Sequence, residues 1–385
     1  MAISAPKIFF IAGEASGDVL GASLMRSLKT KNAQFSGVGG LLMGEQGLKS
    51  IIPMSELCVM GIWEVLWQLP RLLRLINGMV EEIEKEQPDV LVTIDLPDFN
   101  FQVAKRLKKR GIYKGKIIHY VAPTVWAWRP GRAKKIAQFL DGIMCLFPFE
   151  PEYFEKHGLD ARYVGHPLVY QDHKRDYGDF RAMHDLDKDA LVFGVYLGSR
   201  QGEIAQHKEI FKDAINFMVE QYPDLQIILP TLPEVEYDAL EAMKELNVSP
   251  VVVSNPKYKW MAMQSCDLAM AVSGTVGLEL SYMNVPHIVA YKTHPITAMI
   301  VKLLAKVKYA HLVNILLDKP AVPEFLQGKC KPIPIAGELI RLLRDDALMA
   351  QQKVAFHDAR RILKKEVSDS PSDTAVHYIL ERINS

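Results

Sequence analysis

Several things are scarce or missing in this chain, and each absence narrows what it can do. Cysteine is rare: the four thiols, Cys58, Cys145, Cys266 and Cys330, are scattered with no paired spacing. That excludes a zinc-ribbon pattern and fits a reducing compartment with buried free thiols. Net charge is almost absent, a formal +1 over 385 residues. A global nucleic-acid footprint is therefore lacking, and any basic site must be local. No apolar run approaches the ~20 residues of a transmembrane helix. The early run Ile8–Ala12 is too short for a secretory h-region and meets Glu14 and Asp18 at once. These absences point to a cytosolic protein or one peripheral to a membrane. No G-x-G-x-x-G follows the first strand of either half, which counts against a dinucleotide cofactor.

What the chain does contain is apolar residues in a regular alternation. Hydrophobic residues make up 49% of it, enough for two sizeable cores, and its length makes two domains the default. In the first half, strands are expected at Lys7–Ala12, Val90–Ile94, Ile117–Val121 and Ile143–Phe147, with helices such as Asp18–Lys29 and Val103–Arg110 between them. The second half repeats the pattern with strands at Leu191–Leu197, Gln226–Leu229, Pro250–Val253, Leu268–Val272 and His287–Tyr291, and ends in helices within Ala336–Lys365 and Asp373–Ile383. Buried strands alternating with helices at this spacing indicate doubly wound α/β sheets. The polar segment Tyr170–Asp189 is the best linker; its D-x-D, Asp185-Leu186-Asp187, lies in a charged connector and reads as solvated. The domains expected are 1–170, 171–345 and a returning helical segment 346–385.

Ligands on such sheets collect at the carboxyl ends of strands. Leu191–Ile204 shows the grammar: a strand, the sharp turn Gly198-Ser199, then Arg200 and Glu203 at the start of a helix. Free N–H groups and a positive helix end at one spot suit a phosphate. A second turn, Ser273-Gly274-Thr275, is followed one helical turn later by Glu279. Two such turns and a carboxylate suit a nucleotide, with N–H groups for the diphosphate and Glu279 for the ribose hydroxyls. The same grammar opens the chain at Lys7–Asp18, KIFFIAGEASGD.

The motifs are far more specific in combination. GEASGD at Gly13–Asp18, MGIWEVL at Met60–Leu66, IDLPDFN at Ile94–Asn100 and YVAPTVWAWRPGR at Tyr120–Arg132 come first. PFE at Pro148–Glu150, GHPL at Gly165–Leu168, GSRQGEI at Gly198–Ile204 and SGTVGLE at Ser273–Glu279 follow. Together, over about residues 7–330, the chain resembles the lipid-A-disaccharide synthase family. Two departures stand out: Leu197 replaces a proline before the glycine turn, and Leu312-Val313-Asn314 replaces L-P-N. Each loses a rigid φ but keeps the polar groups.

The resemblance implies a GT-B-like α/β fold, two Rossmann-like domains facing a cleft, with the final helices crossing back. It also implies transfer from UDP-2,3-diacylglucosamine to 2,3-diacylglucosamine 1-phosphate, giving the β-1,6-linked disaccharide 1-phosphate and UDP at the cytoplasmic face of the inner membrane. An α-linked donor and a β product need one inverting displacement, hence a base and stabilisation of the leaving diphosphate. No cofactor and no metal are expected. Arg200 is the diphosphate ligand, since its planar fork binds phosphate bidentately. Asp98, after a buried strand in IDLPDFN, is the first choice of base, with Glu14 its rival. Gly198, Ser199, Gly274, Thr275, Glu279, Asn314 and Glu324 are the nucleotide-side candidates. On the acceptor side stand Ser16, Asp95, Asn100, Trp126, Trp128 and Arg129, the tryptophans stacking on sugar, lining an acyl channel or packing.

Acylated substrates require a membrane-facing surface. Ile62–Val80 supplies Trp63, Leu66, Trp67, Leu69, Leu72 and Leu73 beside Arg71 and Arg74, the mixture of an interfacial helix. Core burial is the competing reading of the same residues. Basic runs at Lys105–Lys116 and Arg129–Lys135, with Met299–Lys308, would add attraction to an anionic surface. Other readings are a GT-B enzyme using UDP-N-acetylglucosamine (a lipid-acceptor transferase or a 2-epimerase) or a non-catalytic peripheral module; a nucleic-acid partner is disfavoured, and self-association is left open.

Overall fold

The computed structural model describes residues 5–57, 62–128, 131–170, 180–294, 298–299, 307–364 and 369–385, apart from the side chains of 62–68 and 128. The chain divides into two compact units, Met1–Tyr170 with Leu363–Ser385, and Gln171–Ile362.

The first unit is built on six parallel strands: β1 (Lys7–Ala12), β2 (Gln34–Val38), β3 (Val90–Ile94), β4 (Lys116–Tyr120), β5 (Gly142–Cys145) and β6 (Ala161–Tyr163). Their order is β2-β1-β3-β4-β5-β6. Successive residues of β1 feed opposite faces: Phe9 and Ile11 enter one core with Leu91, Val103 and Ile143, while Ile8, Phe10 and Ala12 enter another with Leu24, Ile118 and Tyr378. Both faces are therefore buried, and the strands are apolar throughout rather than alternating. Helices Ala15–Lys29 and Pro371–Ile383 cover the second face and meet through Ser23 and Ser372, whose hydroxyls lie 2.6 Å apart.

The second unit repeats the plan with β7 (Val192–Tyr196), β8 (Gln226–Pro230), β9 (Val251–Val253), β10 (Leu268–Ala271), β11 (His287–Tyr291) and β12 (Glu324–Leu326), ordered β12-β11-β10-β7-β8-β9 and again parallel. Phe193 and Val195 face one core, Val192 and Tyr196 the other.

Three differences from expectation have clear causes. Edge strands β2, β6 and β12 escape detection because each is short or carries too few apolar residues. Strand β4 stops at Tyr120 because Val121 turns to φ 76°. The segment 346–385 is divided rather than returning as a whole. Helix Asp346–Lys364 is held in the second unit, where Gln352 exchanges two hydrogen bonds with the backbone of His287 and Phe356 stacks on its ring; only Leu363–Ser385 belongs to the first.

Buried imidazoles are part of both cores. His119 lies against the Thr93 hydroxyl at 2.8 Å, and His287 Nε2 meets His311 Nε2 at 2.9 Å. His287 Nδ1 faces the Val285 carbonyl, and His311 Nδ1 accepts from the Val313 N–H. That arrangement suits two neutral rings, with His311 Nε2–H donating to His287. Burial lowers the pKa of His119 to about 3 and of His166 and His287 to about 4, and holds His311 well below the usual value, with His287 adding to the effect. Between these values and the ~6.5 of an exposed imidazole, the unfolded chain binds more protons than the folded one, so stability is full above that range and is lost as pH falls through it. Glu150, raised to about 7 by burial, and Asp95, also raised by burial, act oppositely, but they are two groups against five, since burial lowers His207 as well. The unfolding free energy from urea denaturation should therefore drop between pH 7 and pH 5, on the order of a few kcal/mol; a flat profile over that range would show that these histidines do not govern acid stability.

Candidate functional site

In an open parallel sheet, a crevice forms where strand order reverses. In the second unit the reversal lies between β7 and β10, whose register sets Tyr196 beside Ala271. The two turns that follow these residues are thereby brought together around a cavity of about 430 Å³, which lies in the usual range for a small-ligand pocket. Gly198, Ser199, Arg200, Gly274, Thr275 and Glu279 all line it.

The two turns are not equivalent. Gly198 has φ 110°, and a Cβ there would come 2.6 Å from Glu203 Oε2. Glu203, in the first turn of helix Gln201–Gln221, reaches back to accept from the Ser199 N–H at 3.2 Å. The carboxylate thus takes the donor that Ser199 was expected to offer a phosphate, because an orphan N–H at a helix start is satisfied by the nearest acceptor. Arg200 remains 72% exposed, with a long 3.5 Å contact to Glu203. Helix Thr275–Tyr282, like helix Gln201–Gln221, begins with no side-chain cap, and what sets the first turn apart is the Ser199 N–H already taken by Glu203. The first-turn N–H groups and positive end of helix Thr275–Tyr282 make the second turn the better anion cradle.

Glu279 lies in this pocket with Oε1 2.6 Å from Lys259 Nζ, and Lys259 also rests over the Trp260 ring. Lys259 was missed from sequence because it sits in no motif and is brought in by the chain after β9. Asn314 and Glu324 stand differently from expectation. Asn314 is fully buried; its amide nitrogen donates to Val322 O and Glu324 Oε1, and its oxygen accepts from Val322 N, each at 2.8 Å. Glu324 also accepts from the N–H groups of Ala310 and His311. These groups are consumed internally and shape the Ala310–His311 segment, against whose Ala310 carbonyl the Ser273 hydroxyl lies at 3.4 Å.

The first unit shows the same geometry between β1 and β3, where Ala12 is in register with Ile94. GEASGD and IDLPDFN leave the sheet side by side. Gly13 packs closely here: a Cβ would lie 2.4 Å from Leu96 Cδ2, so that side chain would have to shift. Asp95 and Leu96 adopt φ 51° and 44°, a strained pair. Asn100 pins them by donating to the Asp95 carbonyl at 2.7 Å, and the Asp95 N–H donates to Tyr120 O. Asn100 is thus a buried brace for this turn. Burial raises the Asp95 carboxyl pKa, against hydrogen bonds from the Leu96 N–H and the Ser16 side chain. Asp98 opens helix Pro97–Arg110 with its side chain 96% exposed, 3.3 Å from Arg132. Glu14 is exposed at the cap position of helix Ala15–Lys29. Asp18 accepts from the N–H groups of Gly40, Leu42 and Met43 and so holds the neighbouring turn.

Trp126 does not present a ring for stacking. It is 5% exposed, packs edge-on against Phe149, and donates its indole N–H to Glu150. The Trp128 side chain and Arg129 lie outside the described residues, as do the side chains of Trp63, Leu66 and Trp67. Helix Ile62–Glu86 changes character along its length. Ile76, Met79, Val80 and Ile83 form a core stripe, and Leu72 also packs against that core, a correction to its placement on a membrane face. Leu69 and Leu73 remain exposed beside Arg74 and Arg71, and Arg71 pairs with Glu56. Among the described residues no helix is long and apolar enough to cross a membrane.

Two parallel six-stranded sheets, each with a reversal of strand order, define a GT-B-type fold. The fold matches a Staphylococcus aureus MnaA–UDP structure (TM-score 0.65, 13% identity, 99% of this chain and 98% of that one) and Acinetobacter baumannii MurG (TM-score 0.57, 12% identity, 98% and 99%). A family model described as lipid-A-disaccharide synthetase matches residues 8–378. Lipid-A-disaccharide synthases from Rhodospirillum centenum (43% identical; 90% of this chain, 87% of that one) and Paramagnetospirillum magneticum (40%; 98% and 97%) agree. The chain belongs to the lipid-A-disaccharide synthase family and is a glycosyltransferase of lipid A biosynthesis.

The internal bonding of Asn314 makes a direct prediction. Asn314→Ala should lower unfolding free energy by about 1–3 kcal/mol, the cost of stranding buried partners, measured by urea denaturation. A variant of unchanged stability but weakened ligand affinity would return Asn314 to a contact role.

Proposed function

We propose that the protein transfers 2,3-diacylglucosamine from UDP-2,3-diacylglucosamine to the 6-hydroxyl of 2,3-diacylglucosamine 1-phosphate, releasing UDP. The observation that carries this reading furthest is the second unit's pocket, where Arg200, an uncapped helix start and the Glu279–Lys259 pair converge. A nucleoside diphosphate matches that set: Arg200 and the Thr275 helix end take the diphosphate, and Glu279, oriented by Lys259, takes the ribose hydroxyls. The fold's resemblance to an enzyme whose structure holds UDP-GlcNAc, from Neisseria meningitidis, supports the same ligand class.

Chemistry follows as one displacement. Asp98 accepts the proton of the acceptor hydroxyl, the oxygen forms its bond to the anomeric carbon, and the bond from that carbon to the diphosphate breaks with its electron pair leaving on UDP. Inversion converts the α donor into the β product. Asp98 suits the role because its carboxylate is open to an incoming hydroxyl and is held by Arg132, which lies over the Phe101 ring. Positive charge for the departing diphosphate comes from Arg200, Lys259 and the helix end, and no metal is required. We place the protein at the cytoplasmic face of the inner membrane, with Leu69 and Leu73 contacting the bilayer and nearby arginines its anionic head groups.

The deciding experiment incubates the protein with both substrates and follows disaccharide 1-phosphate and UDP, with and without EDTA. Both products should form at equal rates in the two conditions. Donor turnover without acceptor would identify an epimerase, and loss of rate with EDTA would sink the metal-free mechanism. Asp98→Asn should lower kcat by about a hundredfold or more while UDP affinity persists; near-normal turnover would eliminate Asp98 as base. For the membrane, Leu69→Gln with Leu73→Gln should abolish co-sedimentation with anionic phosphatidylglycerol vesicles without lowering the melting temperature. Retained binding would place the contact elsewhere.

A further inference from the structure

Glu150, which ends the PFE motif of the first unit, is 2% exposed. Its Oε1 accepts from Trp126 Nε1–H at 3.1 Å, and its Oε2 accepts from the N–H groups of Leu146 and Phe147 at 3.0 Å each. The carboxylate therefore ties together two loops that leave neighbouring strands: the one after β4, carrying Trp126, and the one after β5. Carboxylate is the form that suits three N–H donors and no acceptor. Burial pushes its pKa up to about 7, against the three N–H donors, which favour the carboxylate.

The loop being held needs holding. Val121, directly after β4, has φ 76°, a conformation that costs a β-branched residue on the order of 1–3 kcal/mol and persists only where its surroundings impose it. Two contacts impose it from the β5 side: the Val121 N–H donates to Met144 O at 3.1 Å, and Glu150 anchors Trp126 five residues on. Phe149 packs on the indole, and Phe147 stacks on Phe149. The strained turn lies beside the Asp95–Leu96 turn, since the Asp95 N–H donates to Tyr120 O. Any drift of the β4 turn is thus delivered to the backbone that carries Asp95 and, three residues later, Asp98.

We propose that Glu150 is a positioning residue for the transfer reaction: by fixing Trp126 it holds the loop after β4, and through it the acceptor-side carboxylates, in productive geometry. This rests on the reading that the first unit receives the acceptor. A neutral hydrophobe or amide of similar size could fill the space, but it could not accept from three N–H groups at once.

Steady-state kinetics separate this role from a merely structural one. Glu150→Gln turns an amide NH2 toward at least one of the three donors. It should lower kcat/KM for the monosaccharide 1-phosphate by about tenfold or more, as small misplacements of reacting groups do, while UDP affinity measured by calorimetry stays within twofold. Trp126→Phe keeps an aromatic ring and removes only the anchored N–H, and should shift the acceptor parameters in the same direction. The double variant should be no worse than the more affected single one, because both act through one contact. Acceptor kinetics unchanged in Trp126→Phe, or effects that multiply in the double variant, would overturn the proposal. So would equal losses in acceptor kinetics and UDP affinity. If Glu150→Gln does not fold, Trp126→Phe alone decides. Absence of disaccharide from the wild-type protein would instead sink the proposed reaction.

Discussion

Parallel pairing of β7 with β10, in the register that sets Tyr196 beside Ala271, is the constraint on which the second unit's pocket depends. Both faces of that sheet are buried, so a slip of one residue would exchange Phe193 and Val195 with Val192 and Tyr196 between two different cores. Packing therefore forbids the slip. Because crossovers run outward from these two strands in opposite directions, the turns after them cannot cover each other and leave a crevice. Hydrophobic burial selects the register and ladder bonds such as Val272 N–H to Tyr196 O hold it, which together place Arg200 and Thr275 at one cavity.

Carboxylates then divide into two populations. Asp18, Glu150, Glu203 and Glu324 each accept backbone N–H groups that the loops would otherwise leave unpaired. They brace turns. Asp98 and Glu14 stand exposed on the first unit, where a carboxylate can meet a substrate. Asp95 lies between the populations, half-buried in a strained turn and touching Ser16. Electrostatics at the edges of both sheets is therefore mostly spent on local architecture, and the groups left for chemistry are few.

The alternation of apolar strands with helices made the two-sheet plan legible, because strands buried on both faces leave continuous hydrophobic runs. The motif turns were legible too, since glycine and small polar residues at strand ends have few other uses. Partner choice was not. Nothing in the spacing of Ser199 and Glu203 says that the carboxylate will claim the N–H, or that Asn314 will close on Val322. Lys259 was hidden for a related reason: its pairing with Glu279 joins segments 20 residues apart through the tertiary fold. Trp126 was ambiguous because an indole packs and stacks equally well until its N–H partner is known.

Helix Pro371–Ile383 lies in the core of the first unit, yet the whole of Gln171–Ile362 separates it from the rest of that unit. In topological terms the second unit is an insertion in the first. During synthesis from the N-terminus, the second unit has its entire sequence available while the face made by Ile8, Phe10 and Leu24 still lacks Tyr378 and Ile379. The first unit is thus begun before the second and covered after it, once residues 371–383 have been made.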